Sequence, residues 1–412
     1  MHGNINLTVR TSPKVGYAAD KYRKTASVKR ITVTGIAQQV VRFLMWLTIL
    51  ITAIKKYQNL RLAFKKIKQL KALRNNYRNG YTLQKFVRNG LKFYAGYNIP
   101  AWPSATFNRY IERQLTRMDD PMSPTLHTII LGITKKCGFK CEHCYEWEHL
   151  NKPEVLSKHD LITIVKRFYE LGVSQIQITG GEPLNRFADL LFMLQQSPKG
   201  INYWIYTTGY SLTYEKAKQL YAAGLTGITI SLDHHIPEHH DRFRGVNNAF
   251  AKAISAASLA KQAGLTVCFS LCATKDFISR DNLYAYAKLA KESGASFIQI
   301  LEPKAVGHYS GKSVELNNEH FSVLNEFFER INFNNEYNSY PIIAYPGYYG
   351  RKIGCSGGGA DYLYVDMDGD AHNCPFCQRK LFSVLHSDLK YQLQQLKLTG
   401  CKTFSQVTFQ LN

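Results

Sequence analysis

The chain of 412 residues carries 52 lysines and arginines against 30 aspartates and glutamates, a formal net charge of +22, and its length allows about two to three domains. Residues 1–118 hold 23 of the basic residues and only two acids, Asp20 and Glu112, so that region is at +21 and the remainder near +1. A charge confined to one region excludes a general role in solubility and asks for an anionic partner there.

Between Ile31 and Ile54 the only charged residue is Arg42, and the run from Phe43 to Ile51 is strongly apolar. A helix of this length reaches the roughly 20 residues that a bilayer span needs. Three features argue against spanning. Arg42 near the centre costs roughly 2.5–3.5 kcal/mol, and Gln38 and Gln39 add polarity. The seven basic residues before Ile31 would also lie on the wrong side if the basic helix that follows is cytoplasmic. The segment begins too late for a usual signal peptide.

From Lys55 to Arg74 the apolar Leu60, Ala63, Phe64, Ile67 and Leu70 recur at intervals of three and four, with Arg61, Lys65, Lys66, Lys68 and Lys71 on other faces. Such a helix suits the surface of an anionic membrane, and residues 1–75 are expected to meet one. A helix packed on the rest of the protein with a solvated cationic face is an equal alternative. Nucleic acid, for which Tyr57, Tyr77 and Tyr81 among the basic residues would serve, ranks lower, because no RNA-binding motif accompanies them.

The chain then changes rhythm. Strand-like runs near 128–134, 175–179, 202–206, 226–232, 265–273 and 296–301 alternate with helical patterns near 157–171, 186–196, 213–223, 247–263 and 280–293. Six βα units predict an α/β fold, a partial TIM-like (β/α)6 barrel with its chemistry at the carboxyl ends of the strands. Residues 80–118, including Asn98 to Ser104, lead into this barrel and are expected to close its open side. Cys268 and Cys272, four apart on a predicted strand, share a face and read as buried small hydrophobes. The histidines between Leu232 and His240 lack a fixed helical spacing and read as a solvated or substrate-facing loop.

The chemistry sits in the remaining cysteines. Cys137, Cys141 and Cys144 form C-x3-C-x2-C, written CGFKCEHC. A four-iron cube takes four cysteine sulfurs, so three leave one iron open to an outside ligand. Zinc, with His143 or His149 as a fourth ligand, is the alternative, but this spacing fits common zinc patterns poorly. Thr179-Gly180-Gly181-Glu182-Pro183 ends the second strand, Thr207-Thr208-Gly209 the third and Ser231-Leu232-Asp233 the fourth, before HDRFRG.

Together these motifs resemble the radical SAM superfamily. The resemblance implies that Cys137, Cys141 and Cys144 bind a [4Fe-4S] cluster whose open iron chelates S-adenosylmethionine (SAM). It also implies that Gly180, Gly181 and Glu182 hold the methionine amino group and that Ser231 and Arg244, with Arg242 competing, hold the ribose and carboxylate. His143, Pro183, Thr208 and Asp233 complete the implied cofactor-binding set. By itself Ser231 reads equally as a cap on the next helix.

Cys355, Cys374, Cys377 and Cys401 form a second set, with Cys355 and Cys374 in C-x13-G-x4-C. The run YLYVDMDGDAHNC predicts a hairpin whose Asp368-Gly369 turn returns Cys374 toward Cys355. This arrangement resembles the SPASM and twitch auxiliary domains, which implies that these four cysteines bind an auxiliary [4Fe-4S] cluster. Structural zinc is the alternative. Among SPASM enzymes acting on sulfatases an aspartate follows the cysteine matching Cys374; here Pro375 stands there, which disfavours that activity. Asp366, Asp368 and Asp370 read as turn formers.

The expected organisation is a basic, partly apolar helical extension over 1–122, a radical SAM core over 123–305, a connecting segment over 306–350 and an auxiliary-cluster region over 351–412. The resemblance implies an enzyme that cleaves SAM to a 5′-deoxyadenosyl radical, with a reductant such as flavodoxin or ferredoxin as partner. Glu302 and His308, after the sixth strand, are the candidates for catalytic contact with substrate. A reducing, cytoplasmic setting with peripheral membrane attachment is expected, and a lipid or lipid-linked substrate. The alternatives are a maturase of ribosomally made peptides and a non-enzymatic iron-sulfur carrier or redox sensor.

Overall fold

The computed structural model describes residues 32–77, 81–120, 126–355 and 357–399. Cys401 and residues 1–31, with seven of the 23 basic residues of the N-terminal region, lie outside the described residues. A two-residue strand β1 (Thr32–Val33) leads into helix α1 (Gly35–Tyr57), which ends where Gln58 turns left-handed (φ 51°) and returns its N–H to the Ile54 carbonyl. Lys55 and Lys56 occupy that last turn, where cations favour the helix dipole. Asn59 accepts the Leu62 N–H at 3.0 Å and starts helix α2 (Leu60–Tyr77).

Strand β2 (Phe86–Asn89) then pairs with β1 on one side and with β3 (Lys92–Tyr94) on the other in a small antiparallel sheet. Helix α3 (Ala105–Asp119) is capped by the Ser104 hydroxyl. It joins α1 and α2 around Ala53, Ala63, Ile67, Phe107, Ile111 and Leu115.

The predicted barrel is present. Strands β4 (Thr128–Gly132), β5 (Gln175–Thr179), β6 (Asn202–Thr207), β7 (Leu225–Ser231), β8 (Thr266–Cys272) and β9 (Phe297–Leu301) lie side by side in sequence order, and every pairing is parallel. The connecting helices are α4 (Lys158–Glu170), α5 (Phe187–Gln196), α6 (Tyr214–Ala222), α7 (Pro237–Arg244), α8 (Ala249–Gln262) and α9 (Arg280–Glu292). Ser157, Thr213 and Ser279 cap α4, α6 and α9.

The sheet extends past both barrel edges. Helix α10 (Asn318–Phe333) leads to strand β10 (Ile342–Ala344), parallel to β9, and then to α11 (Pro346–Ile353). Strand β11 (Tyr362–Val365) adds parallel to β4, followed by antiparallel β12 (Asp370–His372) and β13 (Phe382–Ser383). Helix α12 (Leu389–Thr399) closes the described chain.

Side-chain alternation divides each barrel strand between two environments. Ile176, Ile178, Ile205, Ile228, Ile230, Phe269, Ile298 and Ile300 pack outward under the helices. Trp204, Cys268 and Phe297 share a separate interior cluster with Ile342, near the strands' amino ends. That cluster is completed by Leu83, Val87, Tyr94, Tyr97 and Ala101 of the N-terminal flank. This part of the flank therefore fills the base of the barrel, while Asn98, Ile99 and Tyr110 reach the cavity above it. Lys85 accompanies it, fully buried, donating to the carbonyls of Ile331 (2.8 Å) and Tyr337 (2.9 Å).

Candidate active site

The loop after β4 carries Cys137, Cys141 and Cys144, and neighbouring backbone pins it from several sides. The N–H of Gly181 reaches the Thr134 carbonyl (2.7 Å) and that of Glu182 the Lys136 carbonyl (2.8 Å). From α7, Arg244 and Phe243 carbonyls accept Lys140 (3.2 Å) and Glu142 (3.1 Å). Asn151 brackets Cys137, accepting from its N–H at 3.1 Å and donating to its carbonyl at 3.0 Å.

A cavity of about 430 Å³ opens at the carboxyl ends of the strands. Its lining includes all three thiols, the segment Thr179 to Glu182, Thr207, Thr208, Ser231, Asp233 and Arg244. The glycines are required by the loop itself. Gly180 holds φ 131°, and a Cβ there would stand 2.5 Å from the Thr134 carbonyl; one on Gly181 would stand 2.5 Å from that of Lys136.

Glu182 is committed to the scaffold. Its carboxylate accepts from the Leu184 N–H (3.1 Å), the Thr207 hydroxyl (2.5 Å), and both the N–H and hydroxyl of Thr208 (2.8 Å each). Four donors fill the acceptor positions of a carboxylate, so the side chains of Glu182 and Thr208 brace the tips of β5 and β6. Pro183 is buried at the start of the turn that follows.

Opposite them, Arg244 is buried and donates to Asp233 through Nε and Nη2, both at 2.6 Å, with Nη1 3.5 Å from the Cys141 sulfur. Burial works against its charge, but Asp233 and Cys141 beside it outweigh this and raise its pKa. Arg242 is exposed, which separates the two arginines that spacing left in competition. Asp233 also accepts the Cys272 N–H at 3.0 Å. Ser231 caps no helix: α7 begins six residues later, with Ile236 at its N-cap.

Burial pushes the thiol of Cys137 up to about 11 and that of Cys144 up to about 12, and raises Cys141 as well. His143 stacks on Phe243 (centroids 4.9 Å apart) and is held neutral by burial. Its Nδ1 is buried with no hydrogen-bond partner among the described residues.

Of the two catalytic candidates, Glu302 lines the cavity but accepts from Tyr345 (2.7 Å) and is ion-paired with Arg351. His308 is absent from the lining. Its ring stacks on Trp147 at 4.0 Å, Nδ1 donates to the Cys141 carbonyl (2.9 Å), and its backbone N–H reaches that of Cys144 (2.9 Å). It braces the cysteine loop from outside.

In the second set, the hairpin turns at Gly369 (φ 84°), pairing Tyr364 with His372. The Asn373 carbonyl accepts the Gly358 N–H at 2.8 Å, which brings the Cys355 loop beside Cys374. Cys374 and Cys377 sulfurs are 3.5 Å apart. Asp366 accepts the N–H groups of Asp368 and Asp370, both at 2.9 Å, as turn-forming aspartates do. Pro375 and Phe376 line the cavity, and Phe376 meets Tyr145, next to Cys144, at 6.3 Å.

Several lining residues escaped the motif reading: Asn98, Gln177, Tyr206, Ser270, Cys272 and Gln299. Four of them, Gln177, Tyr206, Ser270 and Cys272, lie on strands two residues from a motif residue or from one another, so alternation was the signal that could have found them, and Gln299 stands opposite Ser270 on the neighbouring strand. Asn98 had no such signal, because the Gln177 that donates to it at 3.2 Å is 79 residues away.

Residues 131–283, which contain the first cysteine set and every SAM motif, match the Radical SAM superfamily. These residues form a radical SAM domain. The chain is 31% identical over 214 residues to an AdoMet-dependent heme synthase of Oleidesulfovibrio alaskensis, covering 50% of this chain and 54% of that one. It is 29% identical over 227 residues to a GTP 3′,8-cyclase of Staphylococcus aureus, covering 52% and 65%.

The chain thus spans little more than half the length of the heme synthase relatives it matches. Its fold is similar to that of Streptococcus suis SuiB bound to the precursor peptide SuiA (TM-score 0.54, 14% identity, covering 81% of this chain and 78% of that one). It is also similar to anSMEcpe with bound AdoMet (TM-score 0.53, 18% identity, covering 68% and 84%).

A radical SAM enzyme uses a [4Fe-4S] cluster and SAM, and the residues present fit both. Three thiols face one cavity, and their deprotonation on binding iron releases protons. The unpartnered His143 nitrogen stands on the same wall.

Proposed function

We propose that this radical SAM enzyme cleaves SAM reductively at the carboxyl end of the barrel and takes hydrogen from a substrate held in the same cavity. The observation that supports it is the convergence of Cys137, Cys141, Cys144, the Gly180-Gly181 segment and the Asp233–Arg244 pair on one cavity. When bound, the cluster and SAM supply a 5′-deoxyadenosyl radical by one-electron cleavage of a carbon-sulfur bond. The chain's own residues do the rest. Arg244 presents a fixed positive charge for a carboxylate, Ser231 offers a hydroxyl at the tip of β7, and Glu182 keeps two strand tips in register. Pro375 and Phe376 close the wall nearest the second cysteine set. Anaerobic protein supplied with iron, sulfide, dithionite and SAM is expected to form 5′-deoxyadenosine and methionine. Failure of protein that carries the cluster's absorbance would overturn this reading.

The substrate we favour is a lipid or lipid-linked molecule, with the basic N-terminal quarter at an anionic membrane surface on the cytoplasmic side. Support comes from Asn98 and Ile99, which line the cavity within the flank that directly follows α1 and α2. Stimulation of 5′-deoxyadenosine formation by a total lipid extract tests it. A second reading, peptide maturation, is favoured by the likeness to a fold solved with a precursor peptide, and stimulation by a short peptide encoded beside this gene would select it. Flavodoxin or ferredoxin is the proposed electron donor. We further propose that Cys355, Cys374, Cys377 and Cys401 hold an auxiliary cluster; replacing Cys374 and Cys377 by serine should then lower bound iron from about eight to about four per chain.

A further inference from the structure

We propose that α1 lies in the plane of the membrane as a monotopic insertion helix, with one defined stripe in the lipid and the opposite face fastened to the protein. This rests on the membrane location proposed above and adds the mode of attachment. By length and composition α1 is long and apolar enough to cross a membrane, yet its two faces differ in what they touch.

The inner face is bound to the body. Gln38 is buried, and its Nε2 donates to the Leu83 carbonyl at 2.8 Å; the Arg42 guanidinium donates to the same carbonyl at 2.8 Å. Thr48 accepts from the Trp102 indole N–H at 2.9 Å, Val41, Thr52 and Ala53 are buried, and Met45 and Ile49 pack toward α2 and α3. Of the polar residues that spoil a transmembrane reading, Gln38 and Arg42 hold the helix to the barrel's base, while Gln39 is exposed at the edge of the outer face.

The outer face is apolar. Ile36, Val40, Phe43, Leu44, Leu47 and Ile51 follow one another at steps of four, three, one, three and four, which places them on one side of a helix. Ile36 is 80% exposed, Phe43 57% and both Val40 and Ile51 52%. A water-facing helix carries polar residues on this side; here the arrangement is inverted, so the medium it fits is hydrocarbon. Spanning would expose the inner face too, and with it the bonds to Leu83 and Trp102.

Charge identifies the kind of surface. Lys55 at the end of α1 and Arg61, Lys65, Lys68 and Lys71 on α2 are exposed, and no acid occurs between Gly35 and Tyr57 or between Leu60 and Tyr77. An apolar stripe followed by exposed cations matches an anionic lipid headgroup layer over acyl chains. A second copy of this basic chain would set like charges together.

The test is vesicle flotation of the full, cofactor-loaded protein, with phosphatidylcholine alone and with added phosphatidylglycerol, at low and high salt. The parent is expected to bind the anionic vesicles and to keep part of that binding at high salt. Val40→Ser/Phe43→Ser/Ile51→Ser should weaken partitioning about tenfold or more at either salt, and Lys65→Glu/Lys68→Glu should weaken it at low salt only. The serine variant should keep the parent's melting midpoint and its vesicle-free SAM cleavage. If the serine variant binds like the parent while the glutamate variant does not, insertion is overturned and electrostatic attachment stands. If the parent floats with neither vesicle, both fall. A parent that is dimeric in solution and made monomeric by the serine changes would overturn the proposal in favour of a second copy.

Discussion

The two ends of the barrel's interior use the same strands for opposite purposes. On β6 and β8, Trp204 and Cys268 point into a buried, largely apolar base sealed by Tyr94 and Tyr97, whereas two and four residues on Tyr206 and Cys272 face the cavity. At the base Tyr97 is 2.7 Å from the Thr229 hydroxyl and Lys85 donates to two carbonyls, while the buried Gln175 amide at the start of β5 has no partner among the described residues. At the mouth, thiols, the His143 nitrogen and a buried arginine stand around open space. One end is built for packing and the other for ligands, so substitutions along a single strand should separate stability from chemistry.

The largest separation is expected at Cys141. Cys141→Ser should abolish anaerobic 5′-deoxyadenosine formation and leave the denaturation midpoint near the parent's, because it removes one sulfur and little volume. Next is Asp233→Asn, which leaves Arg244 buried beside a neutral partner. Breaking such a pair costs about 3–5 kcal/mol, so both urea stability and SAM affinity by calorimetry should fall. Asp233→Leu/Arg244→Met should recover much of the stability and none of the SAM affinity. If the double variant binds SAM normally, the pair belongs with the packing end. Trp204→Ala at the base should cost about 3–5 kcal/mol of stability while SAM cleavage per folded molecule stays within about twofold. A loss of cleavage matching Cys141→Ser would dissolve the distinction between the two ends.

Much of the mouth was legible in the sequence because its chemistry is local. C-x3-C-x2-C, the GGEP segment and the Ser231–Asp233 segment are each a few residues long, and each ends a strand whose period-two alternation is plain. The base was not legible, since it joins Leu83 and Tyr97 to Trp204 and Phe297 across more than a hundred residues, with no charge or turn signal to announce the contact. Glu302 and His308 show a third case. Their position after β9 was readable, but only the fold shows that Arg351 and Tyr345 occupy Glu302 and that Trp147 holds His308 outside the cavity. For α1, composition gave an apolar helix with blemishes at Gln38 and Arg42, and only their bonds to Leu83 explain those residues.

The smallest effect expected comes from the base's own buried charge. Burial, with Lys291 adding to it, lowers the Lys85 pKa to about 7 from its ordinary 10.5, and Lys291 itself is tied to Ser339 at 2.7 Å. In the unfolded chain the amine keeps its proton up to its ordinary value, so between about pH 7 and 10 the unfolded state binds one more proton than the folded state. Stability therefore rises with pH across that window, by up to about 1.4 kcal/mol per unit from this group, and is flat in this term below pH 7. Lys85→Met removes the titration along with the two hydrogen bonds to Ile331 and Tyr337, so it should be less stable at pH 9 and nearer the parent at pH 7. Urea unfolding of both proteins at the two pH values measures the difference. Parallel pH profiles would mean that Lys85 keeps its charge in the fold, and the base would then resemble the mouth in holding a buried cation.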